Sequence, residues 1–331
     1  MKKTVCALLA MSAMLLGVPL LLTLAAQAPA PAPPAPARSP AGADISWAFA
    51  ATNGALPAEP PTTSTSVPGS TKTYMRSQID DLNNPPDWFP DEHPPAPSIV
   101  QKGHDGALAC GACHLMSGSG HPESADLVGL PAEYIRRTMM DFKSGIRVEV
   151  NRMNTISKAM SNEEIQQAAD FFAALKPVKW TEVKEAAMVP KTFVGGGRMR
   201  YASPEGGTEP LGTRIITLPQ DQSRVTKRDP HSGFVSYVPV GSIKKGEALV
   251  KTGGGKSVQC TICHGDALKG LGNVPRLAGR HPAYIARQLY MFKDGRRNGG
   301  DAALMKRPVA SLTDDDIVSI SAYLASLDPV K

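Results

Sequence analysis

Two short segments carry the residue types from which chemistry follows. Cys110-Gly111-Ala112-Cys113-His114 and Cys260-Thr261-Ile262-Cys263-His264 both read C-x-x-C-H, the pattern of covalent haem attachment. The spacing has a mechanical basis. Two thiols three positions apart at the start of a helix stand on one side of the turn, where both reach one porphyrin edge, and the next residue's imidazole turns inward toward iron. Cys-x-x-Cys also serves as a redox disulfide, which wants a βαβ setting, or as half of a zinc site, which needs both pairs brought together. Here each pair has its own histidine, so Cys110, Cys113, Cys260 and Cys263 are expected to bind two haem c groups, with His114 and His264 as iron ligands.

The sixth ligand is read from an internal repeat. At an offset of 150 residues both C-x-x-C-H segments coincide, and so do Leu127, Gly129, Tyr134, Ile135, Arg137, Phe142, Lys143 and Gly145 with Leu277, Gly279, Tyr284, Ile285, Arg287, Phe292, Lys293 and Gly295. Two extra residues then enter the second copy. At offset 152 Met153, Ile165, Leu175 and Pro177 meet Met305, Ile317, Leu327 and Pro329. Met153 and Met305 are the ligand-type residues that coincide in the later half, and they are expected on iron. Thioether sulfur favours ferrous iron, and six filled positions leave no place for oxygen or peroxide. His104, His121, His231 and His281 have no histidine counterpart in the repeat and are expected as surface or loop residues.

Helices must position these groups. Apolar residues recur at helical spacing over Ala132 to Ser144 and Ala283 to Asp294, with shorter amphipathic stretches, Ile99 to Gly103 and Ile243 to Val250, before the cysteines. Ser161 with Glu164, and Thr313 with Asp316, have the spacing of a capping box, and Pro177 and Pro329 end the last helices. The fold class expected is all-α: two tandem three-helix domains, 95–179 and 240–331, each around a haem. The segment 180–239, with glycine clusters and β-prone runs at 214–218 and 234–238, reads as an inserted two- or three-stranded element. Residues 29–94, rich in Pro, Ala, Ser and Thr, read as a flexible tether, with Trp88 to Pro95 packing on a domain edge. Residues 1–28 read as a secretory signal, or as an anchor if it is retained: Lys2 and Lys3, an apolar run to Ala26, then Ala26-Gln27-Ala28.

At this point the two units resemble the class I c-type cytochromes and, as a tandem pair, the dihaem cytochrome c4 group. The resemblance rests on both C-x-x-C-H motifs, on Pro275-Arg276-Leu277-Ala278-Gly279 with Tyr284, and on Met305 leading into Leu312-Thr313 and the final helix. It implies a periplasmic electron carrier, not an enzyme, relaying electrons from a dehydrogenase or quinol-oxidising donor to a terminal oxidase or reductase. Ala125 stands where the second unit has Pro275, and both the insert and the N-terminal stretch are long for the group. A dihaem peroxidase, which needs an open iron, and a haem subunit of a periplasmic dehydrogenase complex are the alternatives. Residues 240–331 hold 14 Lys and Arg against 8 Asp and Glu, a balance of +6, whereas residues 95–178 hold 8 against 9, a balance of −1. Such an asymmetry can steer an acidic redox partner. No nucleic-acid partner is expected, and membrane contact is expected only through a retained signal or a membrane oxidase.

Overall fold

A computed structural model describes residues 38–39, 42–149 and 152–330. The export signal, the anchor alternative and the first residues of the expected tether lie outside the described residues. Among the described residues no helix is long and apolar enough to cross a membrane. The described residues belong to one compact unit.

The repeat is visible as a matched set of helices. In the first copy they run Ser98–Gln101, Gly111–His114, Ala132–Ser144, Met153–Ala159 and Asn162–Ala174. In the second they run Ser242–Thr252, Thr261–His264, Pro282–Lys293, Ala302–Ala310 and Asp314–Ser326. Both predicted capping boxes form. The Ser161 hydroxyl accepts from Glu164 N at 3.1 Å and the Thr313 hydroxyl from Asp316 N at 3.2 Å, while each carboxylate accepts from its cap residue's N–H. Each unit has its own apolar core, Ile165, Phe171 and Phe172 in the first and Ile317, Ile320 and Tyr290 in the second.

Long-range bonds repeat as faithfully as the helices. Gly129 N donates to Phe172 O and Gly279 N to Leu324 O, both at 2.9 Å. Both glycines have positive φ, 65° and 72°, and a Cβ on either would run into Pro177 or Pro329. The equivalence of these residues in the sequence is therefore a packing requirement of one tight crossing used twice. The copies differ at the first helix, which has one turn in the first unit and three in the second. In the second unit Gly246 lets this helix press on the C-terminal helix: a Cβ there would stand 1.9 Å from Ser319 O.

The insert forms a three-stranded sheet in which Phe234–Val238 is central, parallel to Thr181–Glu185 and antiparallel to Ile216–Pro219. Two further strand pairs, Met188–Pro190 with Thr208–Pro210 and Thr192–Val194 with Arg200–Ala202, enlarge it. Alternation along the central strand buries Phe234, Ser236 and Val238.

The expectation of a flexible tether at 29–94 is overturned for the residues described there. Ile45, Trp47 and Ala48 are buried in the second unit's core, and Val67, Ile79 and Trp88 make a small core of their own. Trp88 Nε1 donates to Lys227 O at 2.8 Å in the insert, and His93 packs edge-on against Phe171 in the first unit. Periodicity reports regular elements. A proline-rich strap has none, and its isolated tryptophans are buried one at a time.

Candidate haem centres

Each C-x-x-C-H segment is a one-turn helix that ends by burying its histidine, His114 at 9 % exposure and His264 at 6 %. His114 Nδ1 lies 2.7 Å from Ala125 O and His264 Nδ1 lies 2.8 Å from Pro275 O. In both cases the ring N–H donates to a carbonyl, which leaves Nε2 with a free lone pair, the tautomer a metal ligand requires. The partner is a backbone oxygen, so the alanine at 125 supports the imidazole as the proline at 275 does. None of the four described cysteines is in a disulfide. Burial pushes the Cys110 thiol up to about 12 and the Cys260 thiol up to about 11. The two pairs lie apart, Cys110 against the first core and Cys260 against the second, which suits thioether bonds to two haems rather than coordination of one shared metal.

Cys110, Cys113, His114 and Met153 line one cavity of about 1290 Å³, walled by Leu127, Ile135 and Phe142 among others. The residues fit a porphyrin with acidic side arms. The wall combines those apolar side chains with Arg228, which donates to Ala112 O between the two cysteines, and where the two units meet it presents Arg147, 5 % exposed, whose buried Nε has no partner among the described residues. Met153 opens the helix Met153–Ala159 and packs, half-buried, on the first core. Met305 lies in the helix Ala302–Ala310 and packs on the second core, as do Cys260 and Leu277. Met139, Met160, Met199 and Met291 also line the first cavity, and the repeat alone singles out Met153.

Two of the four histidines expected at the surface or in loops are where the sequence puts them: His104 beside Glu164 at 3.0 Å and His231 beside Glu92 at 2.8 Å, both exposed. His281 is not. It is 2 % exposed, with Nδ1 2.8 Å from the Thr181 hydroxyl and its ring edge-on to Phe234, so the insert buries it. His121 is half-buried in the wall of the first cavity.

The contact between the units was not legible residue by residue. Asp126 and Arg276, equivalent at offset 150, form an ion pair with each other, and Arg280 Nε reaches the same carboxylate at 2.7 Å. Arg147 and Arg297, again equivalent, bridge backbone to backbone. Equivalent residues that meet one another mark an approximate two-fold axis. Burial raises the Asp126 carboxyl, but Arg276 and Arg280 outweigh it and bring it down to about 2. Burial likewise raises the Tyr134 phenol, and Arg297 and Arg147 overcome it and pull it down to about 7.

The surroundings of the two centres break this symmetry. Over the first, Leu115 joins Trp180, Val225 and Phe234 of the insert in one buried cluster. Arg228 donates through Nε to Ile79 O at 2.8 Å and through Nη1 to Ala112 O, which ties insert, strap and haem motif together. Around the second, Ile262, Leu271 and Leu304 are exposed at 62 %, 62 % and 72 %.

Residues 243–328 match the family model described as Cytochrome c. The chain is 26 % identical over 246 residues to cytochrome c4 of Stutzerimonas stutzeri, a match that spans 69 % of this chain and 89 % of that protein. It is 26 % identical over 230 residues to the thiosulfate dehydrogenase electron acceptor of Thiomonas intermedia (strain K12), spanning 68 % and 82 %. Cytochrome c-554(548) of Halomonas halodenitrificans is 40 % identical over 68 residues, 20 % of this chain and 82 % of that protein. With two C-x-x-C-H motifs in matched units, the chain belongs to the cytochrome c family, as a two-haem homologue of the cytochromes c4 with covalently bound haem c.

Proposed function

We propose that this protein is a periplasmic dihaem electron carrier. Cys110 and Cys113, and Cys260 and Cys263, form the thioethers, while His114 with Met153 and His264 with Met305 ligate the two irons. Haem c supplies a one-electron couple when bound. The observation that carries the reading is the duplicated proximal geometry, in which each buried histidine gives its N–H to a carbonyl and keeps Nε2 for iron.

The chain's residues account for the rest of the task. Apolar walls exclude water from the first site and favour the ferrous state. The exposed Ile262, Leu271 and Leu304 around the second site, on the unit with the +6 balance, suit brief docking to an acidic redox partner. Two relatives named as thiosulfate dehydrogenase electron acceptors support a periplasmic dehydrogenase as the donor class, with a terminal oxidase or reductase as acceptor. A peroxidase would need one iron with an open position, and the paired methionines speak against it.

The test is optical. A pyridine haemochrome count is expected to give two haems per chain, and the ferric protein is expected to show the weak near-infrared methionine band. Met153→Ala and Met305→Ala should each remove part of that band. Two haems with a high-spin signal, or peroxide turnover by the reduced protein, would refute saturated His/Met ligation.

A further inference from the structure

The same stretch of chain meets different surroundings in the two copies of the repeat. In the first unit it is covered. Ala112 is 1 % exposed, and Met116 and Ser119 are buried with it. Leu115 is clustered with Trp180, Val225 and Phe234 of the insert, and Arg228 of the insert donates to Ala112 O. The strap adds a backbone contact next to the first cysteine, where Ala109 N donates to Leu82 O at 3.2 Å. At offset 150 the equivalents of Ala112, Met116 and Ser119 are Ile262, Asp266 and Lys269, and all three are exposed, Ile262 at 62 %. Both stretches contain the same one-turn helix with its buried histidine. The difference therefore comes from the insert and the strap, which enclose one motif and leave the other bare.

The bare stretch continues into a wider patch. Lys269 Nζ donates to Val330 O at 3.0 Å, which brings the exposed Val330 beside the loop that carries Leu271. Ser257 Oγ donates to Pro308 O at 2.7 Å and ties the approach to Cys260 to the helix Ala302–Ala310, where Leu304 is exposed. Lys269, Lys306 and Arg307 are exposed and, among the described residues, form no ion pair, while Asp266 is the one carboxylate in residues 262–273 and 303–309. Exposed apolar side chains among unpaired cations suit an acidic protein surface. The first cavity offers no such attraction, since the exposed charged residues that line it are Glu59, Asp80 and Arg152.

We infer that this patch is the single electron port of the protein, used in turn by an acidic donor and an acidic acceptor, and that the first haem exchanges electrons only through the second. The inference rests on the reading of the chain as a two-haem carrier. A docked donor loses one electron, which takes the second iron from ferric to ferrous and then passes to the ferric iron of the first unit. A docked acceptor withdraws electrons one at a time by the reverse route, and no bond or proton changes hands. Because both partners need one face, each excludes the other.

The experiment is stopped-flow reduction of the ferric holoprotein by an acidic plant-type ferredoxin, a low-potential one-electron donor, at low ionic strength. Steering by surface charge changes association rates by about 10- to 1,000-fold, so Lys269→Glu combined with Arg307→Glu should slow the reduction of all the haem at least about tenfold. Lys102→Glu combined with Lys158→Glu makes the same change of net charge on exposed lysines of the first unit and should leave the rate within about twofold. A reduced acidic blue-copper protein, which cannot take a further electron, should inhibit competitively. In hydrogen exchange, oxidised ferredoxin should add protection over residues 262–273 and 303–309 and none on the insert or the strap. If the Lys269→Glu, Arg307→Glu protein kept half of the rate, the first unit would have a port of its own. That result, non-competitive inhibition, or added protection on the insert would overturn the single port while leaving the carrier intact. A haemochrome count of one haem per chain would instead overturn the reading on which the inference rests.

Discussion

Replacing Asp126 by asparagine tests the interface between the units. The substitution keeps the shape of the side chain and removes the one charge that both Arg276 and Arg280 share. The carboxyl is held at about 2 in the folded protein against an ordinary 3.8. That difference corresponds to about 2 kcal/mol at 1.36 kcal/mol per pH unit. Because the folded value is depressed, the contribution is complete above about pH 4 and is lost as pH falls toward 2. Removing the charge also strands two buried guanidiniums, and breaking a buried pair from one side costs about 3–5 kcal/mol. Denaturant unfolding of the holoprotein at pH 7, followed at the Soret band and by far-ultraviolet circular dichroism, should therefore show the Asp126→Asn variant less stable by about 3–5 kcal/mol. The difference between the two proteins should shrink by about half toward pH 2, where the unmodified protein's own carboxylate is half protonated. A loss under about 1 kcal/mol at pH 7 would mean that the arginines are satisfied without Asp126 and would refute the reasoning.

Three further outcomes follow from particular contacts. Gly246→Ala should cost about 3 kcal/mol or more of unfolding free energy, because its Cβ would meet Ser319 O at 1.9 Å, whereas Gly295→Ala, with φ 80° and open space around it, should cost about 1 kcal/mol. Leu115 has φ 62° and ψ 162°, a conformation for glycine, and Gly265 occupies the matching place with φ 81° and ψ 155°. Leu115→Gly should leave stability within about 1 kcal/mol, since relief of roughly 1–3 kcal/mol of strain offsets the burial lost, and a larger drop in melting experiments would show that packing on Trp180 dominates. Stopped-flow oxidation should slow with rising ionic strength for an anionic oxidant and quicken for a cationic one, and insensitivity to both would remove the role given to the +6 unit.

The duplicated half of this protein is open to reading from the sequence because duplication prints its constraints twice. Gly129 with Gly279, Lys143 with Lys293, and the capping pairs at 161 and 313 each perform one identical contact in both copies. Lys143 Nζ donates to Met160 O at 2.5 Å, and Lys293 Nζ donates to Leu312 O. Residues present once have no such second witness. Trp47 sits in a proline-rich stretch without period, and nothing in its neighbours' spacing foretells that it enters the second core; the packing expected from Trp88 onward is found, but that Trp88 binds the insert is not foretold. His281 reads as a loop residue because its cover, Thr181 and Phe234, lies in the part with no counterpart. Asp126 and Arg276 do coincide at offset 150, and opposite charges at equivalent positions are a usable sign of a two-fold contact.

That contact also explains why the two units are tied to their cofactors. Arg147, Arg276, Arg280, Arg287 and Arg297 all reach across it, while Asp126 and Glu123 are the carboxylates that answer them there. Of these five cations, Arg276, Arg280 and Arg287 are paired with Asp126 or Glu123, whereas Arg147 and Arg297 have no carboxylate ion pair among the described residues. Arg147 and Arg297, equivalent by the repeat, are even brought side by side. The strength of the surplus is visible at Tyr134, whose buried phenol is pulled down to about 7 rather than pushed up. Buried charge of one sign is costly unless an opposite charge accompanies it. Haem c brings carboxylates of its own, and the Arg147 end of the first cavity is where cations are in excess. Arg147, Arg280 and Arg287 line the first cavity and are the residues that would hold the acidic side arms of a haem there, which would offset part of the like charge gathered between the units.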